Sequence, residues 1–291
     1  MIPVVFSTDH NYVMPTGITI CSLLLHPSSE PYDIYVLEGS DVDENDRKLL
    51  RRQVAERSAE SRINFIHMGD AFQGSYEIRS ISTACYYRLL IPWLLPQYDK
   101  IIYSDVDIIF RTGLSEVYHM DLGDSLVAGA ATSPGGWRAI EKYIKKLKLD
   151  PDQYINSGML LINAKEQRAE NLDKVYKELS TRKFTFQDQD IINLACKDRI
   201  AHFDMQYNLS AILYKQKPEF SDRVVIHYAG PKPWREFTWA WDAWWEVYNQ
   251  SIFKDDAFYY HTMKQIARPK GQVKNLLRRV YMKLQILFRS L

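Results

Sequence analysis

The chain has 291 residues, of which 46% are hydrophobic, and a formal net charge of +1. This composition excludes a globally disordered chain and suits one large α/β domain or two small ones. Residues 268–291 hold seven Lys or Arg and no acid, so the preceding 267 residues, with 30 basic and 36 acidic groups, carry a net charge of −6. An acidic body argues against a duplex-DNA binder, whose cationic face belongs to the folded domain, and we expect no nucleic-acid partner.

Strands and helices alternate through the first 70 residues. Predicted strands cover Ile2 to Ser7, Tyr32 to Leu37 and Ile63 to His67, and predicted helices cover Met14 to Leu25 and Asp43 to about Glu56. This alternation predicts an α/β fold with a mostly parallel sheet and helices on its faces. Ligands of such sheets bind beyond the carboxyl ends of the strands, where the polar segment Thr8 to Tyr12 would lie.

The sequence offers neither targeting signals nor cysteine motifs. The N-terminus has no basic region followed by a long apolar one, and no run of 18 apolar residues occurs, so we expect neither a secretory signal nor a transmembrane helix. Cys21, Cys85 and Cys196 are far apart and form no CxxC motif. Buried free thiols in a reducing, cytoplasmic setting are the preferred interpretation.

Two carboxylates interrupt the apolar run from Ile101 to Phe110. A buried strand explains the apolar residues but not Asp105 and Asp107, because an ionised carboxylate is costly to desolvate without a cation or hydrogen-bond donors. In an extended segment both acids point to one side while Val106 packs the other way. The pattern predicts a divalent-cation site or, alternatively, a strand end with two solvated aspartates.

The second half of the chain continues the alternation. Predicted helices cover Ser82 to Leu95, interrupted near Pro92, Trp137 to Leu147, Lys165 to about Ser180, and a segment that begins at Gln187; predicted strands cover Leu126 to Ala131, Tyr154 to Asn163 and Val224 to Tyr228. Asn163 is expected to cap the helix that follows it. The polar residues at the Gln187 helix start suit either simple capping or a site. The tryptophans of residues 234–245 most often indicate packing and only secondarily a carbohydrate platform.

Six motifs occur together and in order, at residues 7–12, 86–89, 102–107, 156–163, 187–193 and 227–230. In this respect the chain resembles glycosyltransferase family 8, retaining enzymes of the GT-A fold that include bacterial lipopolysaccharide and lipooligosaccharide galactosyl- and glucosyltransferases. The resemblance implies one Rossmann-like GT-A domain over residues 1–267. It also implies a retaining, metal-dependent transfer of galactose or glucose from a UDP-sugar to a saccharide or lipid-linked acceptor, in lipopolysaccharide, capsule or other surface-glycan synthesis.

Two other function classes stay open beside this one. A nucleotidyltransferase or metal hydrolase could use the same carboxylates, although the sequence has no glycine-rich phosphate loop. A non-catalytic nucleotide-sugar-binding protein could retain the fold.

The resemblance also implies a metal site formed by Asp105, Asp107 and His227. Carboxylate oxygens and one imidazole suit Mn²⁺, with Mg²⁺ as the other candidate, and the diphosphate of the donor would complete the coordination. A strand-end histidine that is hydrogen-bonded in the core is the structural alternative for His227.

By the same resemblance, the donor would contact Thr8, Asp9, Asn11, Tyr12, Arg88, Val106, Asn156, Ser157, Gly230 and Lys232. Asp9 and Asn11 would hydrogen-bond the uracil and ribose while Tyr12 stacks on the base. Arg88 would contact the donor sugar or its phosphates, with a helix-surface salt bridge as the alternative. Two departures from the family pattern stand out: the loop before Lys232 is one residue short, and Thr132 occupies a position where an aspartate is common.

The sugar-facing group is expected at the start of the Gln187 helix. Asp188 would bind sugar hydroxyls, Gln189 would face the anomeric carbon, and Asp190 would support it or act as a transient nucleophile. Retention can arise by double displacement or by same-face attack. Because an amide is a poor nucleophile, same-face attack with Gln189 as a polar stabiliser is favoured.

The tail has apolar residues at three- and four-residue spacings from Val273 to Phe288, with lysines and arginines between them. This pattern predicts a basic amphipathic helix on an anionic membrane surface, which would make the protein peripheral to the inner face of the cell membrane. A helix packed on its own domain or on a second subunit is the alternative.

Overall fold

The structure is a computed structural model that describes residues 1–26, 28–69, 71–72, 83–132, 138–216 and 223–266. The predicted basic tail and Trp137 lie outside these described residues. Within them the strands are β1 Ile2–Thr8, β2 Tyr32–Glu38, β3 Arg62–His67, β4 Lys100–Ser104, β5 Ile108–Phe110, β6 Val127–Ala131, β7 Ile155–Asn163, β8 Ile200–His202, β9 Leu209–Ser210 and β10 Val225–His227.

The helices surround these strands in chain order. They are α1 Val13–Leu25, α2 Glu44–Ala55, α3 Ile91–Leu94, α4 Ser115–Tyr118, α5 Arg138–Lys146, α6 Ala164–Ala169, α7 Leu172–Ser180, α8 Gln187–Ala195, α9 Ala211–Gln216, α10 Trp241–Tyr248 and α11 Asp256–Ile266. Three short 3-10 helices cover His10–Tyr12, Thr83–Leu90 and Met205–Asn208.

The central sheet has seven strands in the order β3-β2-β1-β4-β7-β6-β8. Strands β1 to β4 pair in parallel, β7 runs antiparallel to both of its neighbours, and β8 pairs in parallel with β6. The predicted mostly parallel α/β sheet is therefore confirmed. A second sheet of three strands, in the order β5-β10-β9, lies beside it.

Helices cover both faces of the large sheet because its central strands are apolar on both sides. Along β1, Val4 and Phe6 pack in one core with Leu50 of α2, while Val5 packs in a second core with Ile191 of α8. The alternation follows from the two-residue period of a strand. A continuous apolar strand of this kind is typical of parallel sheets buried on both faces.

The apolar run from Ile101 to Phe110 is not one strand. It breaks at Asp105–Asp107, and β4 and β5 on either side belong to different sheets. The hydroxyl of Thr19 in α1 donates to the carbonyls of both Val106 and Ile108, each at 2.8 Å, and ties the turn to the helix. The two acids therefore lie at the junction between the two sheets, which we call the crevice.

Two predicted helices also differ from the structure. The helix predicted from Ser82 to Leu95 is a 3-10 helix over Thr83–Leu90 that continues into α3, which has proline near its start; Ser82 lies outside the described residues. The helix predicted from Lys165 to Ser180 is broken into α6 and α7, because Asn171 takes the left-handed conformation with φ 53°. Asn163 caps α6 as predicted, through a 3.3 Å bond from the Glu166 amide.

Other sequence expectations concern burial. Trp234, Trp244 and Trp245 are buried in one aromatic core, as the packing interpretation predicts. All three cysteines are buried and free. Among the described residues, no helix is both long and apolar enough to cross a membrane.

Candidate active site

The two aspartates and the histidine predicted to bind a metal converge at the crevice between the sheets. Asp105 and Asp107 follow β4, and His227 ends β10, where it pairs with Ile108 of the antiparallel β5. The Nε2 atom of His227 lies 3.4 Å from Oδ1 of Asp107 and 3.8 Å from Oδ2 of Asp105. One ligand atom from each residue lies within 4.8 Å of the others.

Gly158 of β7 makes room for His227. A Cβ atom at this position would lie 2.2 Å from Cε1 of the imidazole, so a side chain larger than hydrogen cannot be accommodated without moving the ring. The Gly158 carbonyl accepts a 2.7 Å hydrogen bond from the Asp105 amide. One backbone position therefore orients both Asp105 and His227.

Arg88 is buried among acids. One guanidinium nitrogen lies 2.7 Å from Oδ1 of Asp105, Nε lies 3.2 Å from Oδ2 of Asp188, and a third nitrogen donates to the Ser157 carbonyl at 2.6 Å. Burial alone lowers the pKa of Arg88, but the carboxylates of Asp105 and Asp188 raise it well above its ordinary value. Arg88 therefore links the metal-site carboxylate to α8, and the helix-surface alternative does not fit its 6% exposure.

Lys232 pairs with Asp107, one of the three predicted metal ligands. Its ammonium contacts Oδ2 of Asp107 and donates to the Tyr228 carbonyl at 2.8 Å. Burial raises the pKa of Asp107, but the nearby Lys232 and His227 outweigh it and hold that pKa well below its usual range. The shortened loop thus still delivers Lys232 to the crevice.

The Thr8 to Tyr12 segment forms the polar turn expected at the carboxyl end of β1. Asp9 caps the His10–Tyr12 helix by accepting from the Tyr12 amide at 3.2 Å, and Thr8 accepts a 2.9 Å bond from Thr16. Asn11 is exposed. The Tyr12 and Trp234 rings are nearly perpendicular with their centroids 6.1 Å apart, and the Arg235 guanidinium carbon lies 5.3 Å from the Tyr12 ring centroid.

The start of α8 faces β7 rather than only capping its own helix. Asp188 accepts a 3.0 Å bond from the Ser157 hydroxyl, and Gln189 accepts from the Asn156 amide group at 3.0 Å. Asp190 is fully buried and accepts from the hydroxyls of Tyr143 and Tyr154. Burial raises the pKa of Asp190, and these two hydroxyls partly offset the rise.

Three residues of the site escaped the sequence analysis. Asn208 bonds His227, Tyr103 donates to Asp105 at 2.8 Å, and Tyr154 bonds Asp190 at 2.5 Å. Tyr103 and Tyr154 looked like ordinary core aromatics, and the periodic signal of a strand carries no hint of a hydroxyl partner. Asn208 lies in a short 3-10 helix outside the recognised motifs.

The donor set fits a divalent cation. Two carboxylates and one imidazole are hard and intermediate ligands of the kind that Mn²⁺ and Mg²⁺ accept. The Lys232 ammonium already compensates part of their negative charge. Two other predicted contacts are less distinctive: Val106 is buried with its carbonyl bonded to Thr19, and Gly230 is exposed.

The architecture is that of the GT-A fold. The galactosyltransferase LgtC, solved in complex with donor and acceptor sugar analogs, has this fold with a TM-score of 0.73; it is 23% identical and the match covers 89% of this chain and 99% of LgtC. The model of glycosyl transferase family 8 matches residues 3–238. The chain belongs to glycosyl transferase family 8.

Two relatives from Escherichia coli strain K12 match most of the chain. The lipopolysaccharide glucosyltransferase WaaO is 27% identical over 87% of this chain and 79% of its own length. A lipopolysaccharide 1,2-glucosyltransferase is 26% identical over 94% of this chain and 85% of its own length. The match to the family model confirms the family predicted from the ordered motifs.

Proposed function

We propose that this protein is a retaining, metal-dependent hexosyltransferase that moves galactose or glucose from a UDP-sugar to a saccharide acceptor of a surface glycan such as lipopolysaccharide. The observation that carries the proposal is the convergence of Asp105, Asp107 and His227 at the crevice between the two sheets. The names of the two Escherichia coli relatives support a hexose donor and a lipopolysaccharide acceptor.

Asp105, Asp107 and His227 would hold the cation, with Mn²⁺ as the proposed metal. When bound, it supplies Lewis-acid stabilisation of the negative charge that develops on the departing diphosphate. Lys232, from the same crevice, adds a second positive charge near those oxygens. Arg88 would orient Asp105 rather than bind the donor, because each of its three guanidinium nitrogens donates a hydrogen bond to a protein group.

The nucleoside end of the donor would lie against the Thr8 to Tyr12 turn. Exposed Asn11 and the carboxylate of Asp9 supply acceptors and donors suited to uracil and ribose, and Tyr12 offers a ring for stacking. Because β1 and β4 are parallel neighbours, this turn and the proposed diphosphate site at the end of β4 lie at the same edge of the sheet. A nucleotide sugar would span this arrangement in the order base, diphosphate, sugar.

On the sugar side, the burial of Asp190 favours same-face attack over double displacement. Two tyrosine hydroxyls and the Phe186 amide occupy its carboxylate, which is 0% exposed. A nucleophile must reach the anomeric carbon, whereas the Asp190 carboxylate is buried inside the protein. Gln189, which is partly exposed, is better placed to stabilise the positive charge of the sugar, with Asp188 bound to Ser157 beside it.

The basic tail is a separate proposal that rests on its sequence alone. Residues 1–267 would form the catalytic domain, and residues 268–291 would bind the anionic inner face of the membrane, where lipid-linked acceptors are assembled. The acidic charge of the preceding residues makes it less favourable for that domain to approach an anionic surface without the tail.

Release of UDP tests the proposal. The purified protein, incubated with UDP-galactose or UDP-glucose, should slowly release UDP when Mn²⁺ is present and stop when a chelator removes the metal. Asp107→Ala and His227→Ala should each abolish metal-dependent UDP binding, because each removes a ligand. Unchanged Mn²⁺-dependent affinity in both variants would refute the site. Thermal stabilisation by a UDP-sugar without any turnover would favour the non-catalytic binding protein.

A further inference from the structure

A line of five hydrogen bonds joins the metal-site histidine to the buried acid of α8. In order, the bonds are His227 Nδ1 to Asn208 Oδ1 at 2.8 Å, Asn208 Nδ2 to Asn156 Oδ1 at 2.9 Å, Asn156 Nδ2 to Gln189 Oε1 at 3.0 Å, Gln189 Nε2 to the Tyr154 hydroxyl at 3.2 Å, and that hydroxyl to Asp190 Oδ1 at 2.5 Å. The line therefore connects the proposed diphosphate and sugar ends of the site.

The direction of this line is fixed at the Asp190 end. An ionised carboxylate only accepts hydrogen bonds, and three donors converge on Asp190: the hydroxyls of Tyr143 and Tyr154 and the Phe186 amide. The Tyr154 hydroxyl donates its one hydrogen to Asp190, so its oxygen must accept the hydrogen bond from Gln189. The amide nitrogen of Gln189 consequently faces Tyr154 and its oxygen faces β7.

Two backbone amides fix the middle of the line independently. The Ser157 amide donates to Gln189 Oε1 at 3.2 Å, and the Gly158 amide donates to Asn156 Oδ1 at 2.9 Å. A backbone N–H can only donate, so rotating either side-chain amide by 180° would set two donors against each other. The oxygen of Asn156 thus accepts from Asn208 as well.

The same logic decides the state of His227. Because Asn208 donates its amide group to Asn156, it presents only its oxygen to the imidazole, and Nδ1 of His227 must carry the proton that it donates. Nε2, on the side of the ring that faces Asp105 and Asp107, is then the nitrogen that can offer a lone pair to a metal, since Nδ1 is occupied by its proton. Histidine ligands commonly need such a partner on their second nitrogen, which sets tautomer and ring orientation.

We infer that Asn208 is a positioning residue: it holds His227 in the metal-binding tautomer and, through Asn156, ties that ring to the sugar-facing amide of Gln189. The functional consequence of this inference rests on the proposed function: metal binding and sugar orientation would then depend on one hydrogen-bonded unit. Asn208 itself would contact neither the metal nor the sugar. Its effect passes through the neighbours that it bonds.

Two substitutions at this position separate its two bonds. Asn208→Ala removes both the acceptor for His227 and the donor to Asn156. Asn208→Asp is isosteric and keeps an acceptor for His227 but cannot donate to Asn156. Asn208 is half-buried in a short 3-10 helix, so neither change removes a large part of the core.

The first readout is the imidazole proton of His227 in ¹⁵N-labelled, metal-free protein in slightly alkaline buffer. We expect a slowly exchanging Nδ1–H resonance in the wild type and in Asn208→Asp, and its loss in Asn208→Ala. The His227→Ala protein assigns the resonance. Persistence of the same resonance in Asn208→Ala would overturn the inference.

The second readout separates metal binding from turnover. Calorimetric titration of Mn²⁺ in the presence of UDP should give an affinity about 10–100-fold weaker for Asn208→Ala. Asn208→Asp should bind Mn²⁺ no more weakly than the wild type, yet show a reduced kcat for sugar transfer with a saturating donor, because Asn156 and Gln189 lose their anchor. Equal loss of metal affinity in both variants would contradict the assigned direction.

The two readouts also distinguish this inference from the proposed function. If the wild type binds neither Mn²⁺ nor UDP, the proposed function fails. The imidazole resonance of the metal-free proteins then decides the Asn208 contact by itself: its loss in Asn208→Ala supports the contact, and its retention refutes it.

Discussion

In the metal-free protein the Lys232 ammonium compensates the negative charge of Asp107. Replacing Lys232 by methionine tests this role. The side chains of Lys232 and Asp107 are 21% and 12% exposed, between the fully buried and the surface case. Breaking a buried pair costs about 3–5 kcal/mol and an exposed one about 0–1 kcal/mol, so we expect about 1–3 kcal/mol for Lys232→Met. At the unfolding entropy of a domain of this size, this corresponds to a melting temperature lower by about 2–5 °C.

A divalent cation should reverse that loss. Without the Lys232 ammonium, Asp107 loses the larger of its two compensating partners, Lys232 and His227, and a divalent cation is the partner that best replaces it. Lys232→Met should therefore bind Mn²⁺ alone more tightly than the wild type and regain its melting temperature when Mn²⁺ is added. Its affinity for UDP with Mn²⁺ present should fall, because the diphosphate loses a positive partner.

Scanning fluorimetry with and without Mn²⁺, followed by calorimetric titration, measures both effects. Lys174→Met is the matched control, since Lys174 is exposed on α7. An unchanged melting temperature in Lys232→Met, or weaker binding of Mn²⁺ alone, would show that Lys232 does not compensate Asp107 in the metal-free protein.

Two further predictions concern the room around His227 and the tail. Gly158→Ala should abolish Mn²⁺-dependent UDP binding, because the new Cβ would lie 2.2 Å from the His227 ring. The control Gly129→Ala, whose Cβ would lie 2.8 Å from Ile155, should lower stability without loss of metal affinity. Similar metal affinities in the two variants would contradict the steric explanation. A chain that ends at residue 267 should cosediment with anionic liposomes less than the full chain does, and equal binding would sink the membrane proposal.

Much of the fold was predictable because the signals are local. The strands of the first half and the cap at Asn163 follow from apolar runs, acidic helix starts and capping residues, which act over a few positions. The break at Asp105–Asp107 was not predictable by periodicity, because β4 and β5 are equally apolar. The turn between them is held by bonds to residues distant in sequence, among them those from the Thr19 hydroxyl and the bond from the Asp105 amide to the Gly158 carbonyl.

The site was predictable to the extent that its residues lie in recognisable motifs. The convergence of Asp105 and Asp107 followed from their spacing, whereas His227 entered only through the resemblance to a family. Asn208 carries no sequence signal, since a single asparagine in a short helix is most often a turn or capping residue. The left-handed Asn171, which separates α6 from α7, carries a weak sequence signal, because asparagine tolerates this conformation better than most residues.

The central claim is that Asp105, Asp107 and His227 hold the metal that binds the diphosphate of the donor. The most direct measurement is the anomalous scattering of Mn²⁺ in crystals grown with UDP. The account predicts one strong peak bonded to a carboxylate oxygen of each aspartate, to Nε2 of His227 and to the UDP phosphates. UDP bound in the crevice with no peak there, or with Mn²⁺ at other residues, would contradict it.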